Sequence, residues 1–395
     1  MPSTRDRISF PAQRTNAPLS GKVRNAIHRL SFKSSTTNKR MNRITPLSFE
    51  RIAIPKPWAG DALTQRFPQL AQELPAGTGE SVELACIGGE SRLDSIIITE
   101  HSREKPFSTW LGQCERESVL GKGFESEERF PLMLKLLDTA EPLSVQVHQQ
   151  DSWQEGKLIT RGKWESWVVI DAEPDAYVLQ GLKADVSEAE FWRALDDGDP
   201  AAVLEKRFLT RGDFLDSPPG MVHAIGGGLS LVELQQASNI TFRMHDWPKR
   251  DGSERGRKLH IEEARKSARL ELPPGWIKRA LLDPVDPAKP GNRSAVLRDS
   301  APFRWLSHML YKPAQLTLLE PRARILTCLQ GKLMIHARAE AALHAHVLEA
   351  PNSLLVPAAL TTLELFPEGD EPVWLLEAQP LPTKAPAFSS NNHAH

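Results

Sequence analysis

The chain is predicted to be mainly β: a strand-built sandwich or barrel interrupted by a helical insertion and followed by a second, smaller β domain. Three observations predict it. Short apolar or alternating runs recur with turn residues between them. One stretch, 187–208, lengthens its period to that of a helix. A proline-rich stretch, 273–290, then precedes a further block of short strands. With 395 residues, 40% hydrophobic and 25% charged, the chain can bury two cores and is too long for one ordinary domain.

Residues 1–40 come first and stand apart in charge. They carry nine Lys/Arg against the single acid Asp6, whereas the chain as a whole has a net charge of -1. Their Ser/Thr/Asn/Arg composition reads as a basic, disordered extension. The same composition also resembles an organellar transit peptide, and Met41 offers an alternative start. A basic tail favours nucleic acid through counterion release, but this one lacks interleaved aromatics apart from Phe10 and Phe32, so no nucleic-acid partner is expected. No apolar run approaches the roughly 20 residues of a membrane span. Cys86, Cys114 and Cys328 have no CxxC spacing, which fits a reducing, cytoplasmic setting without disulfides or a thiolate metal site.

The body then unfolds in order. Strands are expected at 80–86, 93–99, 132–137, 143–148, 164–171 and 176–180. Ser187 with Glu190 forms a capping box that opens a helix through Phe191 and Leu195, with a second short helix expected at 201–207. Strands resume over 214–244, and 260–270 reads as a charged amphipathic helix. After the prolines, strands are expected at 303–310, 315–318, 324–329, 332–336, 353–356, 362–365 and 373–377. The domains are accordingly 1–40 (extension), 41–285 (principal β domain with the insertion), 295–380 (second β domain) and 381–395 (tail).

Chemistry concentrates in the principal domain. In the run 143–148 a strand's period of two places Leu143, Val145 and Val147 on one face and Ser144, Gln146 and His148 on the other. Further on, Gly212, Pro218 and Gly220 turn the chain sharply ahead of His223; the spacing is similar to the second motif of cupins. Between these segments, Lys163, Glu165 and Trp167 share a strand face. Two imidazoles, one carboxylate and one amide oxygen make a donor set that suits zinc with an open position. Farther along, Asn239, Thr241 and Arg243 alternate with Ile240, Phe242 and Met244, and Lys249 follows at a reach suited to a phosphate.

These motifs together resemble the type I mannose-6-phosphate isomerases in their short bacterial form. The resemblance is carried by Gly79-Glu80-Ser-Val-Glu83, Arg129-Phe-Pro-Leu-Met-Leu-Lys135, Pro142-Leu-Ser-Val-Gln-Val-His148, Gly162-Lys-Trp-Glu165, Pro218-Pro-Gly-Met-Val-His-Ala224 and Glu233-Leu-Gln-Gln-Ala-Ser-Asn-Ile-Thr-Phe-Arg243. It implies a cupin-type jelly roll with a helical insertion and a second, smaller, metal-free jelly roll. It also implies one zinc per chain on Gln146, His148, Glu165 and His223, and interconversion of mannose 6-phosphate and fructose 6-phosphate through an enediol. The proton is then expected to fall to Lys163 or Glu233, and the anionic sugar phosphate to Arg243, Asn239 and Lys249. Five positions depart from the family pattern: Asn239 replaces an Asp, Phe242 and His245 replace tyrosines, and Gln149-Gln150 replaces Pro-Asp. A non-catalytic sugar-phosphate-binding cupin is therefore the alternative, and another metal-dependent cupin enzyme ranks below it. A monomer is favoured, with the oligomeric state open. His344 and His346, despite their spacing, are expected to lie outside the site.

Overall fold

The computed structural model describes residues 8–9, 44–87, 93–99, 102–248, 252–253, 256–283, 289–318, 320–339 and 342–383. The expectations for the remainder of 1–40, for Lys249 and for 384–395 fall outside the described residues.

Two antiparallel sheets face each other in the first jelly roll. The larger has seven strands in the order Lys278–Arg279, Asp213–Ser217, Glu165–Ala172, Leu229–Gln236, Leu132–Thr139, Thr78–Leu84 and Ile52–Pro55. The smaller has five: Leu204–Phe208, Tyr177–Leu182, His223–Ile225, Val145–Val147 and Phe242–His245. Leu137, Trp167, Val169 and Leu231 of the larger sheet pack against Val178 and Ile225 of the smaller. Strand alternation then sends Leu134, Leu136, Val168, Ile170, Val232 and Leu234 to the far face, where they join Phe303, Trp305 and Leu326 of the second unit in one core. Both faces of the larger sheet are thus covered, which is why all eight residues of Leu132–Thr139 are buried, Lys135 included.

The outer face of the smaller sheet is closed by the insertion. The helix Glu188–Asp196 begins with the expected capping box, Ser187 and Glu190 bonding reciprocally, and lays Phe191, Trp192 and Leu195 on Val145, Val147 and Leu179. The expected second helix at 201–207 is not formed. Pro200–Ala202 is a single 3₁₀ turn, and Leu204–Phe208 is a strand paired with Tyr177–Leu182. An unpaired sheet edge beside it supplies ladder hydrogen bonds that outweigh the local helical period. The helix expected at 260–270 is shorter, Ile261–Ser267.

A second pair of five-stranded sheets forms the C-terminal jelly roll, one ordered Arg293–Ser300, Phe303–Leu310, Val373–Pro380, Arg324–Gln330, Ser353–Val356. The other runs Ile8–Ser9, Ala314–Thr317, Thr362–Glu368, Lys332–Ala339, Ala342–Glu349. Arg293–Ser300 and Ala342–Glu349 are strands that the sequence pattern does not reveal. Arg298 fastens the two units: its guanidinium stacks 4.1 Å over Trp164 and reaches Asp216, which also accepts from the Trp164 indole at 2.8 Å. Among the described residues no helix is long and apolar enough to cross a membrane.

Candidate metal centre and adjoining cavity

Register builds the site as facing rows. On the larger sheet Trp167, Glu233 and Lys135 are direct cross-strand partners, and Glu165 lies two residues before Trp167 on the same face. On the smaller sheet His223 is paired with Gln146, and Gln146 with Arg243. His223 reaches its place through the predicted turn. Gly220 adopts φ +88°, a Cβ there would meet the Arg269 side chain at 2.7 Å, and its N–H donates to the carbonyl of His148.

Three ligand-type side chains converge among the described residues: His148, Glu165 and His223, all fully buried, with ligand atoms within 4.8 Å of one another. Each imidazole has its Nδ1 against a backbone carbonyl, His148 on Ile240 at 3.1 Å and His223 on Met221 at 2.9 Å. A ring donating from Nδ1 carries its lone pair on Nε2. Both Nε2 atoms therefore face Glu165, at 3.3 and 3.4 Å, as acceptors facing an acceptor. His148 Nε2 and both Glu165 oxygens are buried without a hydrogen-bond partner. The Lys163 ammonium offsets the charge of Glu165 at 2.6 Å but leaves the two imidazole lone pairs facing the carboxylate, so the donor set fits a metal, and two imidazoles with a carboxylate suit zinc.

Gln146 stands beside His223, but its amide nitrogen, 3.3 Å from the imidazole Nε2, is the nearer end, and its oxygen faces Ser144. Rotation of the amide by half a turn presents the oxygen expected as a ligand. Burial pulls His148 down to about 4, keeping its ring neutral at physiological pH. Burial opposes the charge of Glu165 as well, but the Lys163 ammonium, 2.6 Å away, helps hold the carboxyl well below its ordinary value.

Gln146, Lys163, Glu165, Glu233, Asn239 and Arg243 all line one cavity of about 270 Å³. Lys163 Nζ lies 2.6 Å from Glu165 and 3.5 Å from the Thr241 hydroxyl. Glu233 accepts from the Trp167 indole at 3.1 Å and pairs with Lys135 at 3.2 Å; burial, followed by the nearby Glu165 charge, raises its carboxyl above the ordinary range. Asn239 is exposed at the rim.

The pocket also contains residues to which the sequence assigned no role: Trp58, Lys56, Glu80, Lys135, Thr241 and Arg257. Lys56 and Lys135 bracket Glu80 at 2.9 and 3.4 Å; against the cost of burial they hold its carboxyl down at about 2. The available signal was Lys135 itself, one charge inside the apolar run Leu132 to Leu137. His344 and His346 lie on the second jelly roll, away from this cluster.

Fold and centre place the chain among the cupins, with a candidate metal centre between two sheets. No protein-family model matches it. Among curated relatives, the mannose-6-phosphate isomerase of Streptococcus mutans is 37% identical over 239 residues, 59% of this chain and 72% of that protein. The Bacillus subtilis mannose-6-phosphate isomerase ManA is 37% identical over 141 residues, which span 35% of this chain and only 44% of that relative's length. The crystal structure of the mannose 6-phosphate isomerase from Bacillus subtilis superimposes with a TM-score of 0.66 at 23% identity, covering 84% of this chain and 99% of that one. A mannose 6-phosphate isomerase solved with zinc and yttrium gives a TM-score of 0.59 at 14% identity, covering 85% of this chain and 99% of that one. The chain belongs to the mannose-6-phosphate isomerase family, a family of isomerases.

Proposed function

We propose that the chain is a zinc-dependent aldose–ketose isomerase interconverting mannose 6-phosphate and fructose 6-phosphate through an enediol, with one zinc on His148, Glu165, His223 and Gln146. The observation that carries this reading is the set of orphaned lone pairs on His148 and Glu165, opening beside two groups able to move protons. When bound, zinc would polarise sugar oxygens and stabilise negative charge developing on them. Lys163 and Glu233 stand on the same cavity wall, within one small volume, where proton transfer between C1 and C2 of a sugar can be handled by either group. Trp167 and Lys135 fix Glu233 from two sides, so its orientation is set before substrate arrives. Arg243 holds the anionic substrate, and Asn239 contributes an amide at the rim.

A coupled assay with mannose 6-phosphate, with and without chelator, tests the reading. Turnover that chelation abolishes and zinc restores is expected. Lys163→Met should lower kcat by about 100-fold or more while the circular dichroism spectrum stays unchanged. Sugar-phosphate binding without turnover in zinc-replete protein would favour the non-catalytic cupin, and Asn239→Asp would then show whether restoring the acid raises kcat.

A further inference from the structure

Every lysine lining the pocket is already committed to a carboxylate: Lys56 and Lys135 to Glu80, Lys135 also to Glu233, and Lys163 to Glu165. The two arginines are held differently. Arg243 donates from Nη1 to the carbonyl of Lys258 at 2.7 Å, and its Nε is buried without a hydrogen-bond partner. Arg257 lines the same cavity and is gripped by Asp246, Nε to Oδ2 at 2.8 Å and Nη2 to Oδ1 at 2.5 Å. That pairing uses one edge of a planar fork and leaves the Nη1 side unengaged by the carboxylate.

Arg257 is not a loosely attached surface residue. Its segment is zipped to the site strand: the His260 N–H donates to the Arg243 carbonyl at 2.7 Å, and the Arg243 N–H donates to His260 Nδ1 at 3.2 Å. The Lys258 carbonyl that anchors Arg243 is next in sequence to Arg257. The two guanidiniums are close enough that, after burial, Arg257 is the main influence pulling Arg243 below its ordinary pKa. Two cations held near each other at a pocket wall, with a single carboxylate between them in charge balance, suit an anion of two charges.

We infer that Arg257, oriented by Asp246, forms with Arg243 a two-guanidinium clamp for the phosphate group of the substrate, and is the residue that selects phosphorylated over free sugar. The inference rests on the sugar-phosphate reading proposed above and assigns its anion-binding end. Asp246 is a positioning residue that acts through Arg257.

Calorimetric titration of the full chain with inorganic phosphate and with mannose 6-phosphate, beside steady-state turnover of mannose 6-phosphate and mannose, tests it. Arg257→Gln should weaken both binding events by about tenfold or more, as expected for loss of a charge-assisted contact, and should raise KM more than it lowers kcat. Selectivity for mannose 6-phosphate over mannose should fall by a similar factor, with metal content unchanged. Arg257→Lys should recover part of the binding, and Asp246→Asn should weaken it less than Arg257→Gln. Wild-type affinity for both ligands in a folded Arg257→Gln or Arg257→Lys protein would overturn the clamp, whether or not the chain isomerises. Loss of phosphate binding in the variant together with no turnover by the wild type would support the clamp and count against the isomerase reading alone.

Discussion

Each jelly roll buries an imidazole against a carboxylate, and the two pairs are wired in opposite senses. In the second unit His308 Nε2 meets Glu377 Oε2 at 3.1 Å, Ser294 reaches His308 Nδ1 at 2.7 Å, and Gln379 donates to Glu377 Oε1 at 2.9 Å. The ring donates to the carboxylate and accepts from the serine, so every polar atom of the pair is used. In the first unit a backbone carbonyl accepts a hydrogen bond from His148 Nδ1–H, which turns a lone pair toward Glu165. Identical residue types therefore give a closed structural link in one place and an open ligand set in the other. The difference lies in what meets Nδ1: a backbone carbonyl that accepts from it in one unit, a serine hydroxyl that donates to it in the other.

Metal content is the largest way to break the comparison. His148→Ala or His223→Ala should lower zinc per chain at least tenfold, measured by elemental analysis, whereas His308→Ala should leave it unchanged. Equal zinc loss from both regions would show that the second pair is also an open site. Stability sharpens the contrast in the other direction. His308→Ala leaves the buried Glu377 without its donor and should cost about 1.5–3 kcal/mol in urea unfolding, yet added zinc should still raise Tm. In His148→Ala that zinc-dependent rise should vanish.

The acid limb gives a smaller effect. Burial disfavours the charge of Glu377, but His308 outweighs it and holds the carboxyl below its ordinary value. A depressed carboxylate stabilises the fold above the unfolded pKa of about 4.3, and this contribution is lost as pH falls through the folded value. Thermal melts of wild type and Glu377→Gln should therefore converge as pH drops below about 4.3. A constant gap would mean that Glu377 is protonated throughout. The smallest effect is expected from a chain starting at Met41. It loses the two-residue ladder of Ile8–Ser9 on Ala314–Thr317 and should keep its zinc content and its Tm within a few degrees.

Much of the site was legible because strand alternation is local. Gln146 and His148 share a face by period, Lys163 and Glu165 likewise, and the turn at Gly220 is written in residues that tolerate positive φ. The helix Glu188–Asp196 was equally readable through its capping box. What escaped was everything that depends on a neighbour far along the chain. Lys135 was an isolated charge in an apolar run until the sheet set it opposite Glu233 and near Glu80. Arg257, 14 positions beyond Arg243, joined the pocket only because its segment folds back onto the site strand. The 201–207 segment became a strand because a sheet edge was waiting for it.

By itself, then, the sequence determined which residues carry donors, which faces of each strand are polar, and which family the motifs resemble, since all of these follow from side-chain chemistry and a period of two. The tertiary structure alone decided that Glu165 would meet two lone pairs without a proton among them, while Glu377 would meet a donor. That outcome depends on whether a backbone carbonyl, from Ile240 in one unit, or a serine hydroxyl, from Ser294 in the other, reaches the imidazole Nδ1. Sequence spacing carries no information about that choice; it is made by cross-strand and loop packing between segments distant in the chain.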